Sequence, residues 1–330
     1  MTDVRLPATA PVAPLLPGAL PGAGTQDTEL PLSPGSGGLA RGLVRTARPR
    51  QWVKNLLVFA APGAAGVLTE GHMLVRASTA FVVFCLAASG TYFLNDMVDR
   101  EADRRHPLNR HRPVAAGVVS PRMAVAAAIG LVAAALLVGL LALGAGTAGC
   151  VALYVAVNVA YNVRLRHEPV LDLAAVASGF VLRAIVGGLA TGVHLSEWFL
   201  VVTSFASLFI VAGKREGSVG PDVAPTPSTG TVRARPVYPR GYLRYVRALS
   251  SGVAMAAYCL WAFDRADRST GHVVWLQLTI VPFVLAMLRY ALLVESEGAE
   301  VPEDVLLGDG MIVVLGVIWA VLFALGVYGA

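Results

Sequence analysis

Residues 74–103 read LVRASTAFVVFCLAASGTYFLNDMVDREAD. From Ala77 to Asn95 the stretch carries no charge, and Asp96, Asp99, Glu101 and Asp103 then follow in quick succession. About 20 apolar residues cross the hydrocarbon core of a bilayer as a helix. An uncharged run of this length that ends in dense carboxylates is therefore a membrane span delivering acid groups to one face. The rest of the chain repeats the pattern: of 330 residues, 56% are hydrophobic and 14% charged. Soluble domains carry about 25% charged residues. So thin a polar shell cannot cover a water-soluble globule of this size, and the expectation is an all-α, polytopic membrane protein.

Nine hydrophobic segments stand out, at 53–70, 74–95, 122–143, 146–163, 170–192, 196–213, 247–264, 273–294 and 311–329. About nine transmembrane helices put the two termini on opposite sides. With a cytoplasmic N-terminus, the cytoplasmic segments are 1–52, 96–121, 164–169, 214–246 and 295–310. They and their flanks collect nearly all the Arg and Lys and leave Arg76, Arg265 and Arg268 on the other face, as the positive-inside rule requires. Residues 1–40, rich in Pro, Gly, Ala, Ser and Thr, have no unbroken apolar stretch of the kind a signal peptide needs. They read as a disordered cytoplasmic tail ahead of one intramembrane domain, 41–330. Cys85, Cys150 and Cys259 lie singly in apolar segments and read as small buried hydrophobes.

At about 100° per residue, Asp96, Asp99 and Asp103 share one helical face, with Asn95 at its edge. Stacked like charges are costly unless cations sit among them. Oxygen ligands at this density suit Mg²⁺, which takes a few carboxylates and completes its shell with water and substrate phosphates. A solvated acidic helix end, balanced by Arg100, Arg104 and Arg105, is the plainer alternative. The motif, however, ends a span and runs into a basic stretch holding His106, Arg110 and Arg112. A second polar group runs from Tyr161 through Arg164 and Arg166 to Asp172, with Arg183 eleven residues further on the same face. An arginine at that depth is costly in lipid and is expected to face an aqueous or ligand-filled cavity, or else to pair with Asp172. Lys54, Lys214, Arg215, Tyr242 and Arg244 lie at span ends on the same side, where anion binding and topological bias are both open readings. Acid groups placed for Mg²⁺ and bases placed for phosphate suggest a diphosphate-handling transferase. No phosphate-binding G-x-x-x-x-G-K-[ST] loop, nucleophile elbow or H-E-x-x-H occurs, and nothing resembles a nucleic-acid module.

The acidic stretch 95–103 and the segment Tyr161 to Asp172 resemble the two signature motifs of the UbiA-type intramembrane prenyltransferase superfamily. The resemblance is nearer to one branch, the decaprenyl-phosphate phosphoribosyltransferases, and covers about residues 45–330. It rests on Arg48-Pro49-Arg50-Gln51-Trp52-Val53-Lys54-Asn55, on His106-Pro107 with Arg112-Pro113, on Leu182-Arg183-Ala184-Ile185, on Ala212-Gly213-Lys214-Arg215 and on Tyr242-Leu243-Arg244-Tyr245. It implies a UbiA-type helical bundle in the plasma membrane with a cytoplasmic active site. It also implies transfer of the 5-phosphoribosyl group from phosphoribosyl diphosphate to a polyprenyl phosphate, feeding the arabinose donor of cell-wall arabinan. By carry-over Asn95, Asp96, Asp99 and Asp103 would hold Mg²⁺ and the leaving diphosphate. Tyr161, Arg166, Asp172 and Arg183 would bind the donor. Lys54, Arg112, Lys214, Arg215, Tyr242 and Arg244 would serve the remaining phosphates.

Three departures from the pattern stand out. Val176 fills the place of a second aspartate in the second motif, Arg166 replaces a usual lysine, and Glu216 comes sooner than the acidic residue that usually follows Lys214, within an unusual loop at 216–240. Two rival readings fit the same residues. One is a UbiA-type enzyme moving a prenyl group from prenyl diphosphate to an aromatic acceptor. The other is a transporter, which should show a repeated half with matching broken helices; none is evident. The sequence leaves the oligomeric state open, a homo-oligomer included.

Overall fold

A computed structural model describes residues 36–217, 238–267, 273–297 and 308–329. All regular structure among them is helical. An amphipathic helix α1 (Ser36–Ala47) precedes a long 3₁₀ segment (Pro49–Phe59) and the short α2 (Ala60–Ala65). Next come α3 (Gly71–Val98), α4 (Arg100–Arg105), α5 (Pro121–Val138, extended by a π turn to Leu143) and α6 (Ala145–Val163). The chain continues with α7 (Leu171–Thr191), α8 (Glu197–Gly217), α9 (Arg240–Asp267), α10 (Val273–Leu278), α11 (Ile280–Glu297) and α12 (Gly310–Tyr328). Most of the expected tail 1–40 lies outside the described residues, and α1 begins within it, at Ser36.

Among the described residues, eight helical stretches are long and apolar enough to cross a membrane by length and composition: those of α3, α5, α6, α7, α8, α9, α10–α11 and α12. The ninth expected segment, 53–70, is not one α-helix but the 3₁₀ segment followed by α2, with Gly66 left-handed at φ 81°. Eleven 3₁₀ residues rise about 22 Å at ~2.0 Å each, and six α-helical ones add about 9 Å. The composite therefore still matches a hydrocarbon core of about 30 Å. Its three-residue period places Trp52, Asn55 and Val58 on one face, and that face turns inward. Trp52 Nε1 donates to Ser89 Oγ at 3.1 Å, while Asn55 and Val58 are fully buried.

The bundle centres on α3 and α7, the most enclosed of the spans. Val58, Phe84, Tyr154, Leu182 and Val186 form their shared core. Gly187 and Gly90 permit close approaches between segments. A Cβ on Gly187 would lie 1.8 Å from the Val58 carbonyl oxygen, and one on Gly90 would lie 2.7 Å from Val132 Cγ2. In contrast, α12 turns Val313, Val314, Val317, Ile318 and Val321 outward, an apolar face suited to lipid. At 28 residues, α3 is about 42 Å long, well beyond the hydrocarbon thickness, so its last turns carry Asn95 and Asp96 to the bundle's rim. The other rim is tied by backbone carbonyls: Arg76 Nε donates to Ala190 O at 2.6 Å and Arg265 Nη2 to Ala65 O at 3.3 Å.

Candidate active site

The backbone runs almost unbroken from α3 into α4. Asp99 N–H donates to Asn95 O at 2.9 Å, and Asp103 N–H to Asp99 O at 2.8 Å. The helical spacing expected for Asp96, Asp99 and Asp103 thus survives a small bend at Asp99. Asp96 and Asp103 are buried, whereas the Asp99 side chain is 23% exposed. Among the described residues no three acidic, His or Cys side chains converge as a ready metal cluster. Each carboxylate instead meets an arginine brought from another part of the chain.

Arg48, left-handed at φ 54° just ahead of the 3₁₀ segment, ion-pairs with Asp96 and lies over the Tyr92 ring. Arg112, in the loop after α4, bridges Asp103 at 2.8 Å and Asp96 at 3.6 Å. That loop is fixed by Arg104 Nε donating to Ala115 O at 3.0 Å. Arg166, from the turn after α6, meets Asp99 at 2.6 Å, and its Nε donates to His167 Nε2 at 3.1 Å. Asn162 on α6 hydrogen-bonds to Asn95, which ties the two motifs together.

The fourth pair is on α7. Arg215, from the end of α8, donates Nε to Asp172 Oδ2 at 3.0 Å and Nη2 to Asp172 Oδ1 at 2.7 Å. Tyr161 donates its hydroxyl to Asp172 Oδ1 at 3.0 Å and accepts from Arg215 Nη2 at 3.1 Å. Val176, one turn on, packs into the apolar cluster of Leu173, Ala177 and Val211, so α7 supplies one carboxylate here. Tyr242 stacks on Tyr238 with ring centres 5.7 Å apart, and the Tyr238 hydroxyl accepts from Val170 N–H at 3.0 Å. Burial pushes the Tyr238 phenol above its ordinary range, which keeps it a neutral hydroxyl.

Two expected members stand apart from this layer. Arg183 does not pair with Asp172. It lies eleven residues deeper on α7, about 16 Å along the helix, inside a closed cage. It donates to Asn55 Oδ1 at 2.8 Å, Gly179 O at 2.6 Å and the Tyr154 hydroxyl at 3.2 Å, among the faces of Phe84, Tyr154 and Phe180. Among the described residues its partners are all neutral, which leaves a buried cation stabilised by dipoles and rings. Arg244 pairs with Glu295 at 2.5 Å and Glu216 at 3.4 Å, beside Arg247, which meets the same two acids. Lys54 is half-buried on the 3₁₀ segment, and Lys214 is exposed next to Arg215.

Two members of the layer, Arg48 and Asn162, carry no individual mark in the sequence and take their places through contacts between distant segments. Arg48 and Asn162 do sit inside the quoted motifs, next to residues singled out for chemistry, and that adjacency was their one legible signal.

A bundle of apolar helices with a layer of paired aspartates and arginines at one rim has the form of an intramembrane transferase of the UbiA type. Residues 56–213 match the model of the UbiA prenyltransferase family. The fold is shared with a solved UbiA homologue from Archaeoglobus fulgidus bound to GPP and Mg²⁺, at TM-score 0.65 and 18% identity over 88% of this chain and 100% of that one. A Cd²⁺-bound structure of a UbiA homologue from the same organism gives TM-score 0.62 at 17% identity, over 87% of this chain and 98% of that one. The sequence relatives are more specific. A decaprenyl-phosphate phosphoribosyltransferase of Mycolicibacterium smegmatis is 44% identical over 85% of this chain and 91% of its own length. That of Corynebacterium glutamicum is 40% identical over 88% of each, and that of Mycobacterium tuberculosis 41% identical over 85% and 92%. The chain belongs to the decaprenyl-phosphate phosphoribosyltransferase family, and it is a multi-pass membrane enzyme.

Proposed function

We propose that the protein transfers the 5-phosphoribosyl group of phosphoribosyl diphosphate to a polyprenyl phosphate, decaprenyl phosphate being the family's acceptor, with release of diphosphate. The observation that carries this reading is 40–44% identity, over nearly whole chains, to relatives named for that transfer. The single carboxylate on α7, with Val176 in an apolar cluster, supports it over prenyl transfer to an aromatic acceptor. The product would supply the arabinose donor of cell-wall arabinan.

The charge of the rim supports a metal. Asp96, Asp99, Asp103 and Asp172 are met by Arg48, Arg112, Arg166 and Arg215, so the layer is close to neutral by itself. A donor bearing a diphosphate and a 5-phosphate brings surplus negative charge, which a cation entering with it would offset. The donor set is oxygen-only, from Asn95, Asp96, Asp99 and Asp103, and such a set fits Mg²⁺. When bound, Mg²⁺ neutralises charge building on the leaving diphosphate. The arginines that hold these carboxylates would turn toward phosphate oxygens, for which the guanidinium fork is suited.

In this reading Tyr161, Arg166 and Asp172 orient the ribosyl donor, with Arg215 holding Asp172. Lys54, Arg112, Lys214, Tyr242 and Arg244 line the approach for the 5-phosphate and the lipid phosphate. Arg183 supports the layer from below through Asn55, on the 3₁₀ segment that carries Lys54 and directly follows Arg48. The acceptor phosphate oxygen attacks the anomeric carbon as its bond to diphosphate breaks, with inversion. The acceptor is already anionic, so no general base is required. The distribution of Arg and Lys supports a plasma-membrane orientation with the N-terminus and active site cytoplasmic and the C-terminus opposite. The test is diphosphate release by purified protein in detergent. Release should require both phosphoribosyl diphosphate and decaprenyl phosphate and should stop on chelation. Release without the lipid, or none with it, overturns the reading.

A further inference from the structure

We propose that Tyr238 is a positioning residue for the Asp172–Arg215 pair, holding the strained turn from which α7 starts. This rests on the functional reading above, which gives Asp172 its place at the donor.

Val170 has φ 68° and ψ −50°, and Leu171 N–H donates back to Pro169 O at 2.8 Å. Those values define a γ-turn of the rare, strained hand. A β-branched residue at positive φ is an outlier that persists only where its surroundings over-determine it. The Val170 side chain does not supply that restraint, because it is 55% exposed. The local hydrogen bonds, Asp172 N–H to Glu168 O at 3.0 Å and Ala174 N–H to Val170 O at 2.9 Å, arise within the turn and the helix start themselves. Among the described residues, the one hydrogen bond that reaches Val170 from another element is that of its N–H to the Tyr238 hydroxyl, at 3.0 Å.

Tyr238 is built to hold it. Its ring is buried, stacked on Tyr242 and packed in a cluster with Leu173 and Leu243. The phenolic oxygen is therefore presented from a fixed platform just ahead of α9. Asp172 lies two residues past the turn, in the first turn of α7. If Val170 relaxed to negative φ, its peptide would rotate, and the carboxylate would leave the two-point grip of Arg215 and the Tyr161 hydroxyl. The latch thus joins the start of α9 to the site's fourth ion pair, a link that crosses 68 residues of sequence.

Tyr238→Phe keeps the ring and removes the hydroxyl. The expected result is about a tenfold loss of kcat, within the range typical of outer-shell partners, with KM for polyprenyl phosphate unchanged. Val170→Gly accepts positive φ without strain, so by itself it should stay near wild type. In that background Tyr238→Phe should cost much less than it does alone, a non-additivity that marks direct coupling. Wild-type kcat in Tyr238→Phe, or equal losses in both backgrounds, would overturn the proposal, even if the variant also melts earlier. Should wild-type protein transfer nothing from phosphoribosyl diphosphate, the functional reading falls separately. The latch is then read from amide exchange over residues 170–174, which should be faster in Tyr238→Phe and overturns the latch if unchanged.

Discussion

Arg215 grips Asp172 at two points, Nε to Oδ2 at 3.0 Å and Nη2 to Oδ1 at 2.7 Å, with the Tyr161 hydroxyl closing the triangle. Asp172 is 2% exposed. Removing a buried partner outright costs about 3–5 kcal/mol, so truncation would confuse stability with function. Arg215→Lys keeps the charge and loses the fork. It is expected to lower kcat/KM for the ribosyl donor by about 10–100-fold while the protein still folds. Donor titration of the variant checks this, and unchanged kinetics would remove the two-point grip from the account.

Asp99 is the most open of the three aspartates at the α3–α4 junction, at 23% exposure, and its partner Arg166 lies 2.6 Å away. Asparagine keeps a carbonyl acceptor for that guanidinium but loses the charge a metal needs. Asp99→Asn is expected to abolish turnover with an unchanged melting temperature in detergent. Wild-type turnover would take Asp99 out of the proposed metal set.

The 3₁₀ segment depends on the close passage of its backbone over Gly187, where an added Cβ would meet the Val58 oxygen at 1.8 Å. That atom is backbone and cannot swing aside. Gly187→Ala should destabilise by about 1–3 kcal/mol or more, read as a lower melting temperature. Gly149→Ala on α6, with nothing within 4 Å of its Cβ, serves as the control and should melt no lower than wild type.

Asp309 caps α12 by accepting from Ile312 N–H at 2.9 Å and pairs with Arg289 at 2.8 Å. Hydrogen bonding from Arg289, and then from the helix N–H groups, holds its carboxyl below the ordinary carboxylate range. A lowered folded value means the stabilisation is present above that range and is lost as the pH falls through the folded value. Wild type should therefore melt above Asp309→Asn at neutral pH, with the gap closing below the ordinary carboxylate value of about 3.9. A gap constant with pH would contradict this.

Helix number, the polar rim and the one-face spacing of Asp96, Asp99 and Asp103 were legible because each is written in local pattern: apolar run length, about 100° spacing, and charge at span ends. What was not legible depends on assembly. Arg183 shares a helical face with Asp172, yet Arg215 from α8 takes that aspartate, and Asn55 and Tyr154 take Arg183. Periodicity on one helix cannot say which neighbour arrives first. The 3₁₀ form of Pro49–Phe59 left a weak trace in the three-residue spacing of Trp52, Asn55 and Val58, overshadowed by the apolar run it sits in. The γ-turn at Val170 left none, since a β-branched residue is an outlier at positive φ.

Competition between the two donor classes separates phosphoribosyl transfer from prenyl transfer most directly. Purified protein in detergent with Mg²⁺ receives ribose-labelled phosphoribosyl diphosphate, decaprenyl phosphate, and a differently labelled prenyl diphosphate with an aromatic acceptor. Ribose label is expected to move into the lipid phase, and a chelator to abolish the transfer, with the prenyl label left in its donor. Prenyl label appearing on the aromatic acceptor while ribose label stays in water would contradict it.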